Sequence, residues 1–149
     1  IQRMPKDPAQ TFPDPAHYPY GCVCTPSTHD LSPIRAWWEE DRALSQRFYN
    51  EALGCGGAAP YFCEPWVCHR IVEQHLWSPA MLVILPLQDW LSISPELRYK
   101  GNPADERINV PAIPRYHWDY RMHLSLEELL AAKDFNTDVA TLVKSSGRN

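Results

Sequence analysis

The amino-acid sequence predicts an α/β fold in which parallel strands are covered by helices on one side, amounting to half a turn of an α/β barrel. Two observations carry this. The runs Gly21-Cys22-Val23-Cys24-Thr25 and Ala80 to Leu85 are short and apolar with no alternating polarity, the pattern of strands buried on both faces of a parallel sheet. Between them lie two segments of helical length and composition, so the order is strand, helix, helix, strand. At 149 residues the chain can bury a real core but is short of the about 250 residues of a complete (β/α)8 barrel. Residues 1–149 are therefore expected to form part of such a barrel with no second domain. The start at Ile1 rather than Met agrees with further chain upstream.

Taken in order, the first twenty residues hold Pro5, Pro8, Pro13, Pro15 and Pro19 and read as an ordered loop, because proline removes a donor and restricts its predecessor. The first strand ends at Pro26, and Ser27-Thr28-His29-Asp30 follows it directly. Ser32 with Pro33 marks a helix start, Ser32 being the N-cap. A single helix is expected over Ile34 to Leu53, closing at Gly54. Ile34, Trp37, Trp38, Leu44, Phe48 and Leu53 lie on its inward face, and Glu39, Glu40, Asp41 and Arg42 outside. After a Gly-rich turn, Pro65 opens a second helix through Val67, Ile71, Val72 and Leu76 that ends before Pro79. The strand Ala80 to Leu85 follows. Ser94 to Pro114 reads as loop. Ser125 with Glu128 forms a capping box ahead of a helix from Leu126 to Lys133, and a last helix runs from Asn136, as cap, to Ser146, with Gly147 as its stop.

Composition narrows the function classes. A formal charge of −4 with no run of Lys or Arg leaves no electrostatic footprint for nucleic acid or an anionic membrane, and a neutral partner fits better. The longest apolar run, Ala80 to Leu87, is far short of the ~20 residues of a membrane span. Nor does the N-terminus carry a charged-then-apolar signal pattern. Five cysteines, an odd number without dense spacing, read as reduced thiols of a cytosolic protein. Cys68 beside His69, with Cys63 and Cys55 upstream, lacks the paired spacing of a structural zinc site, so neither a metal nor another cofactor is expected. His17, His69, His75, His117 and His123 read as structural or exposed. The loop aromatics Tyr18, Tyr20, Tyr61, Tyr116 and Trp118 are candidates for stacking on sugar faces, beside the alternative that each simply packs.

In α/β barrels the active site lies at the C-terminal ends of the strands. The polar residues there are His29 with Asp30, and Gln88 with Asp89. On spacing alone Asp30 has two readings, a turn-capping side chain or a working carboxylate.

Motifs extend this. Thr28-His29-Asp30, followed by Arg35-Ala36-Trp37-Trp38-Glu39-Glu40, resembles the Thr-His-Asp turn and Arg-x-Trp-Trp helix of the amylomaltases, or 4-α-glucanotransferases. Pro86-Leu87-Gln88-Asp89, Arg107-Ile108-Asn109-Val110-Pro111 and Trp118-Asp119-Tyr120-Arg121 are similar to three further elements of that family, in the same order. The wording is nearest the branch that includes the plant cytosolic disproportionating enzymes and related bacterial proteins. Leu31, Ser32 and Pro33 stand where many members carry Asn-Asp-Thr, so no sugar contact is carried over there.

The resemblance implies the C-terminal portion of a (β/α)8 TIM barrel, about strands six to eight, with Cys22 to Thr25 and Ala80 to Leu85 as strands seven and eight. It implies a retaining 4-α-glucanotransferase acting on maltooligosaccharides or glucans in the cytoplasm, without cofactor. A nucleophilic Asp and an acid/base Glu would lie upstream of Ile1, and Asp30 would be the third catalytic carboxylate. This chain alone is accordingly expected to be inactive. His29, Asn109, Gln88, Asp89 and Arg107 are the implied substrate-binding residues. For His29 a buried structural role, and for Arg107 an ion pair with a loop carboxylate, remain alternatives. Two other readings are a non-catalytic glucan-binding or scaffold module, and a small metal-dependent hydrolase built on Cys68, His69 and His75.

Overall fold

A computed structural model describes residues 1–4, 12–116 and 118–148. The expectations for Pro5, Pro8 and His117 lie outside the described residues. Strands β1 (Val23–Cys24) and β2 (Leu82–Val83) pair in parallel, Val23 opposite Leu82 and Cys24 opposite Val83. Each is shorter than its apolar run. Backbone bonds from the Met81 N–H to the Tyr20 carbonyl (2.7 Å) and from the Ile84 N–H to the Cys24 carbonyl (3.0 Å) extend the pairing on either side.

The expected burial on both faces is not found. Cys24 is fully buried, whereas Val23 is 52% and Leu82 48% exposed. Side chains alternate across a strand, and helices cover one face only. Val83 and Leu85 therefore pack on the core while Val23, Leu82 and Ile84 point away from it.

In place of one helix over 34–53 there are two, α1 (Ile34–Glu40) and α2 (Arg42–Glu51). Asp41 between them leaves helical geometry (φ −140°, ψ 108°), and its carboxylate accepts from the Leu44 N–H at 3.0 Å. A residue read as solvent-facing is thus the N-cap that makes the break. Nor does Ser32 cap α1. Pro33 occupies that position, the Ser32 hydroxyl donates to the Glu40 carboxylate, and the Ile34 N–H donates to Asp89 Oδ1 at 2.7 Å.

Helix α3 (Pro65–Leu76) runs as expected, with proline in its first turn. A short helix α4 (Leu87–Leu91), not anticipated, has Pro86 as its N-cap rather than in its first turn and starts at the last residue of the apolar run. The capping box of α5 (Leu126–Ala131) forms in both directions, Ser125 Oγ accepting from the Glu128 N–H and Glu128 Oε2 from the Ser125 N–H. Helix α6 (Lys133–Ser145) begins three residues before Asn136, whose amide instead donates to the Leu129 carbonyl (2.9 Å) and ties α5 to α6. Gly147 ends α6 in the left-handed region (φ 76°), where a missing Cβ is an advantage. Arg148 then donates to the carbonyls of Leu76, Ser78 and Ala80, fastening the end of α6 to the entry of β2.

The core lies between α3 and the α1–α2 pair. Trp38, Phe48, Val67, Val72 and Ile34 are essentially inaccessible, and Leu142 closes one side from α6. Trp37 and Trp38 both pack on this core, as their helical spacing suggested. The Phe48 ring meets Phe12 edge-on at 4.9 Å and Trp37 at 5.1 Å. Phe48→Ala should cost roughly 3–5 kcal/mol, because truncation loses both transfer energy and packing. Urea unfolding would read it; a loss below about 1 kcal/mol would mean that this cluster does not hold the fold.

Candidate functional site

The chain leaves β1 at Thr25 into a turn whose own polar groups shape it. Thr25 Oγ1 donates to the Ser27 carbonyl (2.6 Å), the Leu31 N–H to the Thr28 carbonyl (3.1 Å), and the Asp30 N–H to Thr28 Oγ1 (3.3 Å). His29 and Asp30 stand at the tip with their side chains about half exposed, His29 Nε2 lying 3.4 Å from Asp30 Oδ2.

Asn109 reaches this tip from 79 residues away. Its amide donates to Asp30 Oδ1 at 2.6 Å, and its backbone N–H donates to the His29 carbonyl at 3.0 Å. The Trp118 ring sits 5.0 Å from that of His29 at an angle of 40°. Beside the tip opens a groove of about 600 Å³, with Thr25, Thr28, His29, Gln88, Ile84 and Tyr120 among its walls.

The structure thus gathers His29, Asp30 and Asn109 into direct contact and sets Gln88 in the same groove wall. Gln88 is otherwise buried, its amide donating to the Glu106 carbonyl (3.2 Å). Asp89 and Arg107 are not among the residues lining this groove. The Asp89 carboxylate is fully buried and caps α1. The Arg107 guanidinium lies 4.0 Å from Glu40, a helix residue rather than a loop carboxylate.

Two arginines and two carboxylates underlie the turn. Buried Arg3 donates from Nε to the Pro26 carbonyl (2.9 Å) and from Nη2 to Ser27 Oγ (3.1 Å) and to the Ser32 carbonyl, with its guanidinium 5.3 Å from the Trp37 ring centre. Burial lowers its pKa to about 10, opposed by Asp89 and Glu40, so it remains a cation at neutral pH. Arg35 Nη1 donates to the Tyr99 carbonyl (2.8 Å) and lies 3.5 Å from Glu106 Oε2, both side chains being nearly inaccessible. Burial pushes the Asp89 carboxyl up to about 6 despite the Ile34 N–H and Arg3, and the Glu106 carboxyl up to about 7 despite Arg35. Sequence reasoning missed Arg3 and Glu106. Neither sits in a periodic pattern, and their burial is decided by segments far away in the chain.

Chemically, the cluster offers an exposed carboxylate oriented by an amide donor and flanked by an imidazole that itself lines a largely apolar groove. That suits hydrogen bonding to neutral hydroxyl-bearing ligands and stabilisation of developing positive charge. The metal reading finds its residues apart. Cys68 Sγ meets Cys63 Sγ at 3.4 Å, His69 faces Asp138, and His75 is buried with Nδ1 against the Ile71 carbonyl. Among the described residues no three His, Cys, Asp or Glu side chains come together as a metal site, all five cysteines are free, and no helix is long and apolar enough to cross a membrane.

Residues 1–126 match the family model described as 4-alpha-glucanotransferase. The rice (Oryza sativa subsp. japonica) protein 4-alpha-glucanotransferase DPE2 is 44% identical over 150 residues, which cover 100% of this chain and 16% of the rice protein. The 4-alpha-glucanotransferase of Chlamydia caviae is 31% identical over 121 residues, 80% of this chain and 22% of that protein. Among solved structures, the amylomaltase from Streptococcus agalactiae in complex with acarbose is alike in fold, with a TM-score of 0.65 over 91% of this chain and 23% of its own, at 18% identity. The chain therefore spans between 16% and 23% of the length of these relatives.

The raised carboxyl pKa values have a signed consequence. A carboxyl that binds its proton more tightly when folded adds stability that is fully present below its unfolded pKa of about 4 and is lost as pH rises through its folded value. For Asp89 and Glu106 that loss runs from about pH 4 to about 6 and to about 7. Buried His75, its pKa lowered by burial to about 4, works in the opposite direction. The comparison of wild type with Glu106→Gln isolates the carboxyl. The variant should gain on wild type between pH 5 and pH 8, by up to roughly 3 kcal/mol, in urea unfolding. A constant difference across that range would mean that Glu106 is not strained by burial.

Proposed function

Because the chain belongs to the 4-alpha-glucanotransferase family, we propose that the protein carrying it transfers α-1,4-glucan segments or glucosyl units between maltooligosaccharides or glucans with retention. Asp30 is then the carboxylate that stabilises the transition state. The observation that carries this is the contact of Asp30 with both His29 and Asn109 beside an open groove, at the C-terminal end of a parallel strand.

The chemistry asks for such a group. In a retaining transfer, a carboxylate attacks the anomeric carbon while an acid protonates the leaving oxygen, and an acceptor hydroxyl then takes the place of water in the second step. Positive charge builds on the sugar ring in both steps, and an anion already oriented by Asn109 needs no reorganisation to meet it. His29, half exposed beside it, donates to a sugar hydroxyl in the reacting subsite, and Asn109 and Gln88 contribute further hydrogen bonds. Asp89 and Arg107 act from behind, Asp89 by capping α1 and Arg107 beside Glu40. The apolar groove wall, with no basic patch in the sequence, suits a neutral oligosaccharide.

On this reading residues 1–149 are the C-terminal part of the catalytic barrel, about strands six to eight, in a cytoplasmic enzyme. The nucleophile and acid/base come from upstream chain, so the 149-residue chain alone turns over no glucan. Asp30→Asn in the full-length protein should lower glucose release and chain redistribution from maltotriose by a factor of a thousand or more, the loss of a key charge interaction of roughly 4 kcal/mol. Near-unchanged turnover would leave Asp30 a turn cap and favour a glucan-binding module instead.

A further inference from the structure

We propose that Arg3 is a positioning residue for the transfer, setting the place of the Asp30 carboxylate by gripping both ends of the turn that bears it. This rests on the reading of Asp30 as the charge-stabilising carboxylate. The guanidinium donates to the Pro26 carbonyl and Ser27 hydroxyl where the turn begins and to the Ser32 carbonyl where it ends. His29 and Asp30 lie on the arc between these anchors. The turn's own bonds, from Leu31 and Asp30 back to Thr28, shape the tip but attach it to nothing beneath.

Arg3 is itself held from two directions. The Trp37 ring lies 5.3 Å from its guanidinium carbon, and buried Asp89 attracts its charge while capping the first N–H of α1, two residues beyond Ser32. The residue is buried and is not among those lining the groove, so any effect on glucan transfer runs through the turn. A planar fork of fixed donors can bridge two chain ends at once, whereas a lysine ammonium is a single point on a flexible stem. Displacement of a reacting group by about 1 Å can cost on the order of a hundredfold in rate.

The test is a double-mutant cycle on maltotriose disproportionation by the full-length protein. Arg3→Lys should lower kcat about tenfold to a hundredfold with KM altered less than about threefold, while the thermal transition stays close to wild type. In an Asp30→Asn background the same change should cost less than about threefold, since the carboxylate it positions is gone. An unchanged kcat in folded Arg3→Lys, or an equal loss in both backgrounds, would overturn the proposal and leave the role of Asp30 standing. Undiminished turnover in Asp30→Asn itself would instead sink the catalytic reading and this inference with it. Should Arg3→Lys fail to fold, Ser27→Ala, which removes one acceptor and leaves the guanidinium, reads the same cycle. Its smaller kcat loss should vanish with Asp30→Asn, and equal losses there count against the proposal.

Discussion

Four charged side chains, Arg3, Arg35, Asp89 and Glu106, are buried beneath the turn that carries His29 and Asp30. Removing a charge from water costs several kcal/mol unless partners are supplied, and a buried ion pair is weak evidence of stability. Here the partners are largely backbone groups: the Pro26 and Ser32 carbonyls for Arg3, beside the Ser27 hydroxyl, the Tyr99 carbonyl for Arg35 and the Ile34 N–H for Asp89. Each such bond joins segments distant in sequence. The buried charge thus works as a set of tethers that fixes where strand end, helix start and loop meet, while the hydrophobic cluster of α1, α2 and α3 supplies the burial energy.

This division explains the shape of the site. The tip residues are exposed and make few contacts, yet the turn is fastened from below by Arg3 and from the side by Asn109. Exposure permits ligand access, and tethering fixes the orientation of the Asp30 carboxylate. Asp89 and Glu106 are held with their ionised forms disfavoured, so part of the folding energy is given up to keep polar groups under the groove.

Much of the fold was legible where the signal is local. Pro65 opening α3, the Ser125–Glu128 capping box and the Gly147 stop all act within one helical turn, and the two apolar runs pair in parallel as their lack of alternation implied. What failed was decided at longer range or by competition. Asp41 reads as a solvated helix residue until its carboxylate finds the Leu44 N–H and ends α1. Ser32 is a good cap by type, but the Ile34 N–H is taken by Asp89, 55 residues further along the chain. At the site, the order of the motifs pointed to the family whose model matches residues 1–126. It could not tell that Asn109 meets Asp30 while Asp89 and Arg107 turn elsewhere, because equal proximity in a motif says nothing of side-chain direction.

The hydrogen bond from Asn109 to Asp30 also fixes an order of events in synthesis. Its partners are 79 residues apart, and α1, α2, α3, β2 and α4 all lie between them. Closing so long a loop is slow compared with forming the helices inside it. On a ribosome adding roughly 5–20 residues per second, Asp30 emerges several seconds before Asn109 exists. During that interval the turn has its Thr28 bonds but not its lateral anchor, and the finished carboxylate geometry is among the last features of the chain to mature.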